Sequence, residues 1–226
     1  MPNTRVYLVR HGATQLSAED RFAGATGVEL SDEGREQAVR LGDRLSDDDI
    51  RAVYCSPMSR TVETARIVAG RCGVDVQLAD GLREIHHGHW EGLTRRDVES
   101  RFPQEYDDWQ QDPFTFAPHG GESGVSVLAR ALPALRDIVV RHPAETVLVV
   151  SHKATIRLLL SSLLGFDPRG YRDRLDQAPA CLNVLEFRDA VRARLMLFND
   201  TSHYADRPRT PARNLSKWWD TGAPAA

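Results

Sequence analysis

The chain has 226 residues, 41% hydrophobic and 27% charged, with a formal net charge of −3. That size suits one compact domain, or one domain with a small appendage. Both charge signs are interspersed, with no basic stripe for nucleic acid and no acidic tail for a basic partner, so positive charge for an anionic substrate must be local to a site. No apolar run reaches the roughly 20 residues that span a bilayer. The N-terminal MPNTRVYLV lacks the long apolar stretch of a signal peptide. Cys55, Cys72 and Cys181 form no CxxC and no paired framework. They fit idle thiols in a reducing, cytoplasmic setting.

In chain order, the first predicted element is a strand over 5–9 that runs straight into Arg10, His11 and Gly12. LSDEGREQAVRLGDRL then opens at Ser31, a good N-cap, and sets Ala38, Leu41 and Leu45 on one helical face. A strand over 52–55 precedes PMSRTVETARIVA, a helix with Pro57 at its start, where a missing N–H is harmless. A weaker strand falls at 74–78. Residues 86–121 hold few apolar periods and read as a partly helical, lid-like excursion over one end of the sheet. ESGVSVLARALPALRDIVV spaces Val125, Leu128, Leu132, Leu135 and Val139 as a helix, with Pro133 expected to kink it or mark its weakest turn. A strand over 146–150 leads into HKATIRLLLSSLLG, which ends on Gly165 as C-cap. Strands over 182–187 and 193–198 have a short connection and are expected antiparallel. An irregular tail follows over about 201–226. The alternation describes one α/β domain over 1–226, a three-layer α/β/α sandwich with a mostly parallel central sheet.

Ligands of open α/β sheets bind beyond the carboxyl ends of the strands. Three strands here end in reactive residues: Arg10 and His11 after the first, Arg60 just into the helix after the second, and His152 at a later strand-to-helix junction. Two arginines, two histidines and helix N-termini converging on one spot suit a phosphoryl group, because the Arg fork matches phosphate oxygens. A neutral imidazole attacks phosphorus competently, so His11 is the candidate nucleophile, kept neutral by neighbouring cations. Arg10 and Arg60 then hold the oxyanion, and His152 donates to the equatorial oxygens. Glu84, in GLREIHHGHWEG, is the candidate general acid, its proton held by partial burial or by the charge of the phosphate; Glu91 is the rival.

Several other groups have two readings each. The imidazoles of HHGH, His86, His87 and His89, invite a metal, but no matched Cys or carboxylate spacing accompanies them. Phe22, Trp90, Tyr106, Trp109, Phe114 and Phe116 are candidates for a substrate-binding lid or for plain packing. GGES at 120–123 presents backbone N–H groups to phosphate or is a loop ending in an N-cap. Trp218 and Trp219 dock on the body or on a second subunit.

LVRHGAT, LSDEGREQA, YCSPMSRTVETA, LREIHHGHWEG, HGGES and VVSHKAT occur in that order. With them the sequence resembles the histidine phosphatase superfamily, also called phosphoglycerate mutase-like, over roughly residues 5 to 200. The resemblance implies the phosphoglycerate mutase-like fold. It implies His11 as the phosphorylated nucleophile, Arg10, Arg60 and His152 as the phosphate pocket, Glu84 as proton donor, and neither metal nor cofactor. A homodimer is implied at the level of the family alone. Three departures stand out. Ala13-Thr14 follows RHG where many relatives carry Glu-Thr or Glu-Ser. Ser17 stands where many carry Asn, which changes one substrate-binding hydrogen bond. Lys153 stands where many carry Gly, and either adds charge for a second anionic group of the substrate or is a solvated lysine. Phe22 and Trp90 complete the expected substrate contacts. The leading function is a phosphatase acting on a small phosphorylated metabolite. The alternatives are a phosphoglycerate mutase-type transfer, for which the interval from Glu84 to His152 is short, and a non-catalytic phosphate-binding module.

Overall fold

The first strand, β1 (Thr4–Arg10), sends Val6 and Leu8 into one apolar cluster and Tyr7 and Val9 into another. Successive strand side chains point to opposite faces, so a strand buried on both must be apolar throughout. The same division recurs in β2 (Ile50–Cys55), with Ala52 and Tyr54 opposite Val53 and Cys55. It recurs again in β4 (Thr146–Ser151), with Val147 and Val149 opposite Leu148 and Val150. A computed structural model describes residues 3–15, 21–24 and 26–205. Ser17, Trp218 and Trp219 lie outside the described residues.

With β3 (Val76–Leu78), β5 (Leu182–Phe187) and β6 (Ala193–Asp200), the sheet has the order β3-β2-β4-β1-β5-β6. β3, β2, β4 and β1 are parallel, β5 is antiparallel to β1, and β6 is antiparallel to β5. The helices α1 (Asp32–Leu45) and α2 (Ser59–Cys72) cover one face through Leu41, Leu45, Ala65 and Val68. On the other face lie α5 (Gly124–Arg141) and α6 (Lys153–Leu164), packed through Leu135, Ile138, Ile156 and Leu159. The result is the expected three-layer α/β/α sandwich. In chain order α3 (Arg95–Arg101) and α4 (Pro103–Gln111) come between β3 and α5, and α7 (Tyr171–Arg174) follows α6. Among the described residues, no helix is long and apolar enough to cross a membrane.

Local chemistry explains most boundaries. Ser31 caps α1 by accepting from Gly34 N at 3.1 Å, and Gly165 ends α6 in the left-handed region at φ 73°. Two expectations need correction. Pro57 does not open α2; it precedes the N-cap, Met58. In α5 Leu135 and Val139 are buried and Leu128 and Leu132 pack against the core as expected, but Val127, Ala131 and Ile138 are buried beside them and Val125 is 45% exposed. Apolar residues cover a wide arc of this helix, so periodicity alone permits either stripe. α5 runs as one continuous helix through Pro133, whose ring is exposed.

The end of β1 is held against the start of α1 by two glycines. A Cβ on Gly34 would lie 2.0 Å from Ala13 O, and one on Gly12 would lie 2.4 Å from Gly34 O. The Ser31 amide donates to the same Ala13 carbonyl at 2.9 Å. Gly34→Ala is therefore expected to destabilise the fold by about 1–3 kcal/mol, the scale of an overpacked core. An unaltered denaturation midpoint would show that the two backbones can part freely.

Candidate active site

The sheet ladder continues past its strands and delivers three side chains to one place. His11 N donates to Ser151 O at 3.0 Å, and Ser56 N donates to Val150 O at 3.1 Å. His11, Ser56 and His152 thus sit side by side beyond β1, β2 and β4. The His11 and His152 rings are 5.3 Å apart, edge to face at 61°.

His11 Nδ1 lies 2.8 Å from Gly12 O. A carbonyl only accepts, so Nδ1 carries the hydrogen and Nε2 keeps the lone pair. Burial, then Arg10 and Arg60, hold this imidazole well below its usual pKa, so it stays neutral. Gly12 N donates to Thr64 Oγ1 at 3.1 Å and Ala13 N to Gln37 Oε1 at 3.0 Å, which locks the backbone under the ring.

The two arginines are oriented by carbonyls. Arg10 Nη1 donates to Gln177 O at 2.7 Å, leaving its buried Nε without a partner. Arg60, 2% exposed, donates to Thr26 O at 3.1 Å and Gly24 O at 2.7 Å. Glu84 sits at the N-terminus of α6, where its carboxylate accepts from Ala154 N and Thr155 N, each at 3.1 Å, and from Thr155 Oγ1 at 3.0 Å. Arg83 pairs with Asp80 at 3.3 Å.

Arg10, His11, Arg60, Glu84, Phe22 and Lys153 all line one cavity of about 230 Å³. His152 lies behind it, wholly buried, with Nε2 2.8 Å from Ser56 Oγ and Nδ1 unpaired. Burial, then Arg60, His11 and Arg10, keep it neutral as well.

A family model described as the histidine phosphatase superfamily, branch 1, matches residues 6–201. The chain belongs to the histidine phosphatase superfamily. It is 34% identical over 163 residues to phosphoserine phosphatase 1 of Hydrogenobacter thermophilus, covering 72% of this chain and 77% of that one. It is 38% identical over 201 residues to phosphoglycerate mutase-like protein 4 of Arabidopsis thaliana, covering 88% and 86%. Among solved structures, YhfR of Bacillus stearothermophilus is similar with a TM-score of 0.83 at 34% identity, over 88% of this chain and 98% of that one.

Several sequence expectations change in this histidine phosphatase. Trp90 does not reach the cavity: it is fully buried in a satellite core with Val98, Tyr106 and Trp109, and Phe116 stacks on it. Its bulk is apolar, and that core outcompetes a wet site. Phe22 belongs to the same cluster, yet it and Trp109 also line the cavity. Phe114 packs instead against Val127 and Leu158. Glu91 is a staple rather than a site carboxylate. Its oxygens accept from His87 N at 2.9 Å and Thr26 Oγ1 at 2.7 Å, tying two loops together. GGES does not line the cavity. Glu122 binds back to His86, and Ser123 caps α5 by accepting from Ser126 N at 3.2 Å.

The HHGH imidazoles take three different settings. His86 Nδ1 accepts from Gly88 N at 3.0 Å, His87 lines the cavity, and His89 lies 3.1 Å from Glu105. The Cys55 and Cys181 thiols are pushed up to about 12 by burial. Sequence reasoning did not single out Ser56, Arg157, Tyr171 or Arg172. A signal for Arg157 existed: it stands four residues after Lys153, on the same helical face.

Proposed function

We propose that this protein hydrolyses a small phosphomonoester through a phosphohistidine formed on His11, with no metal in the reaction. The observation that carries this reading is the His11 tautomer: with Nδ1–H committed to Gly12 O, Nε2 is the nitrogen left for substrate. Arg10 and Arg60 hold the phosphoryl oxygens beside it. Nε2 attacks phosphorus, the ester P–O bond breaks, and the leaving oxygen takes a proton from Glu84. The Glu84 carboxylate then takes a proton from water, whose oxygen attacks the same phosphorus. The P–N bond breaks, releasing inorganic phosphate and neutral His11. His152, braced by Ser56, stabilises the charge that spreads over the phosphoryl group in both steps. The cavity of about 230 Å³ is below the range of drug-sized ligands, which favours a substrate of a few carbons. The phosphoserine phosphatase name of one relative supports hydrolysis of such a compound.

The test is phosphate release from p-nitrophenyl phosphate and from small alkyl phosphates, with no bisphosphate added. Release under those conditions is the expected result. Transfer between hydroxyls that requires a bisphosphate primer, with no release to water, replaces hydrolysis by mutase chemistry. Glu84→Gln is expected to slow alkyl phosphates about tenfold more than p-nitrophenyl phosphate, because nitrophenolate leaves without a proton. Equal losses on both substrates would remove Glu84 as the acid.

A further inference from the structure

Glu84 has its carboxylate fixed by α6, while the backbone beneath it, residues 81–84, lies outside the six strands. Carbonyls without a sheet ladder need donors from elsewhere. Here side chains supply them. Leu82 O accepts from Ser151 Oγ at 2.8 Å, and Arg83 O accepts from Thr155 Oγ1 at 2.7 Å. Arg130, in the second turn of α5, covers the rest. Its Nη1 donates to Gly81 O at 2.9 Å and to Arg83 O at 2.8 Å, and its Nη2 donates to Glu84 O at 3.0 Å.

A guanidinium has five N–H donors. The other two of Arg130 form a bidentate fork with Glu122, Nε to Oε1 at 2.9 Å and Nη2 to Oε2 at 2.8 Å. All five donors are thus in use. Burial pushes the Glu122 carboxyl up, but Arg130, charged and bonded to it, holds it below its usual value, so it stays ionised. Glu122 in turn grips the chain beyond Glu84. Its Oε2 accepts from His86 N at 3.1 Å, and its amide donates to His86 O at 2.8 Å. The loop also sits hard against α5: a Cβ on Gly81 would lie 2.7 Å from Arg130 O. Neither Arg130 nor Glu122 lines the cavity.

We infer that Arg130 and Glu122 are positioning residues for proton transfer to the leaving group: the pair holds the chain before and after Glu84 and so fixes where its carboxylate stands in the cavity. The inference rests on the reading of Glu84 as the acid. It gives the GGES segment a part in the reaction from behind the cavity wall, through Glu84 rather than through the phosphate.

The test compares kcat/KM for glycerol 3-phosphate with kcat/KM for p-nitrophenyl phosphate. This parameter covers the steps up to departure of the leaving group, so later hydrolysis of the phosphohistidine does not enter. Arg130→Lys keeps the charge but offers three donors in place of five. It is expected to lower the ratio of alkyl to nitrophenyl turnover by about tenfold, because a displaced acid fails an alkoxide and not nitrophenolate. In the Glu84→Gln background the same change should lower the ratio no further, since it acts through Glu84. Each ratio is taken within one variant, so a loss of folded protein cancels. If Arg130→Lys gives no folded protein, Glu122→Gln, which keeps the shape of the pair and removes one charge, is judged by the same ratio. Equal losses on both substrates, or a further fall in the double variant, overturn the inference. A ratio lowered by Glu84→Gln and untouched by the clamp variant leaves Glu84 as the acid and removes only the clamp. A ratio that Glu84→Gln does not lower removes the acid and the clamp together.

Discussion

His11→Ala is expected to lower turnover of p-nitrophenyl phosphate by about 10⁴-fold or more, the scale seen when a covalent nucleophile is removed. The second histidine of the motif set does not replace it. The His152 ring is wholly buried, and its Nε2 is engaged with Ser56. Rapid acid-free quenching of wild type with radiolabelled substrate should trap an acid-labile, base-stable phosphate on the protein. The same quench of His11→Ala should trap none. The pH profile carries a second signature. As pH falls, Nε2 takes a proton and the lone pair is lost. Because burial and two guanidiniums hold that proton off, the acid limb of kcat/KM should lie below pH 6.5. A limb centred at or above 6.5 would mean that the imidazole is not held neutral. Wild-type turnover in His11→Ala would end the phosphohistidine mechanism outright.

Arg60→Ala should lower kcat/KM by at least about 10²-fold, the scale of one lost transition-state charge contact. Its effect should exceed that of a simple charge deletion. The Arg60 guanidinium also holds the carbonyls of Gly24 and Thr26, so its removal frees the segment that carries Ala23, another cavity residue. KM should therefore rise along with the fall in kcat. Arg60→Lys should recover little, because one ammonium cannot serve the carbonyls and the phosphate in the geometry of a planar fork. Arg10→Ala should match the loss in kcat without the loop component, since among the described residues Arg10 is braced by the carbonyl of Gln177 and not by the Gly24–Thr26 segment. Near-wild-type kcat/KM in either variant would take that arginine out of the phosphate site.

The His11 end of the cavity is largely readable from local order because most of its residues stand where a strand ends or a helix begins. Arg10 ends β1 and His11 follows it, Ser56 and Arg60 bracket the turn into α2, and His152 follows β4 as the N-cap of α6. A parallel sheet puts such ends together whatever the loops do. The cavity's far end is assembled differently. Arg157, Tyr171 and Arg172 come from the middle of one helix and from a four-residue helix after it, and Trp109 comes from α4. Nothing in their spacing says that they face the same space. The misplacement of Trp90 has the same origin. An aromatic beside HHGH looks like a site residue until the satellite core formed by 90–116 is known.

From the amino-acid order alone came the strands, the caps at Ser31 and Gly165, the sandwich, and the run of motifs that marks the family. All of these depend on neighbours close in the chain: alternation, capping hydrogen bonds, and strand ends that a parallel sheet must gather. Folding in three dimensions settled what distant segments share. It brought the His11 and His152 rings edge to face, set two cations of α6 on the carboxylate of Asp176, and chose which aromatics meet the cavity and which pack behind it. Those outcomes turn on burial and on charge pairing across the chain, which no local pattern encodes.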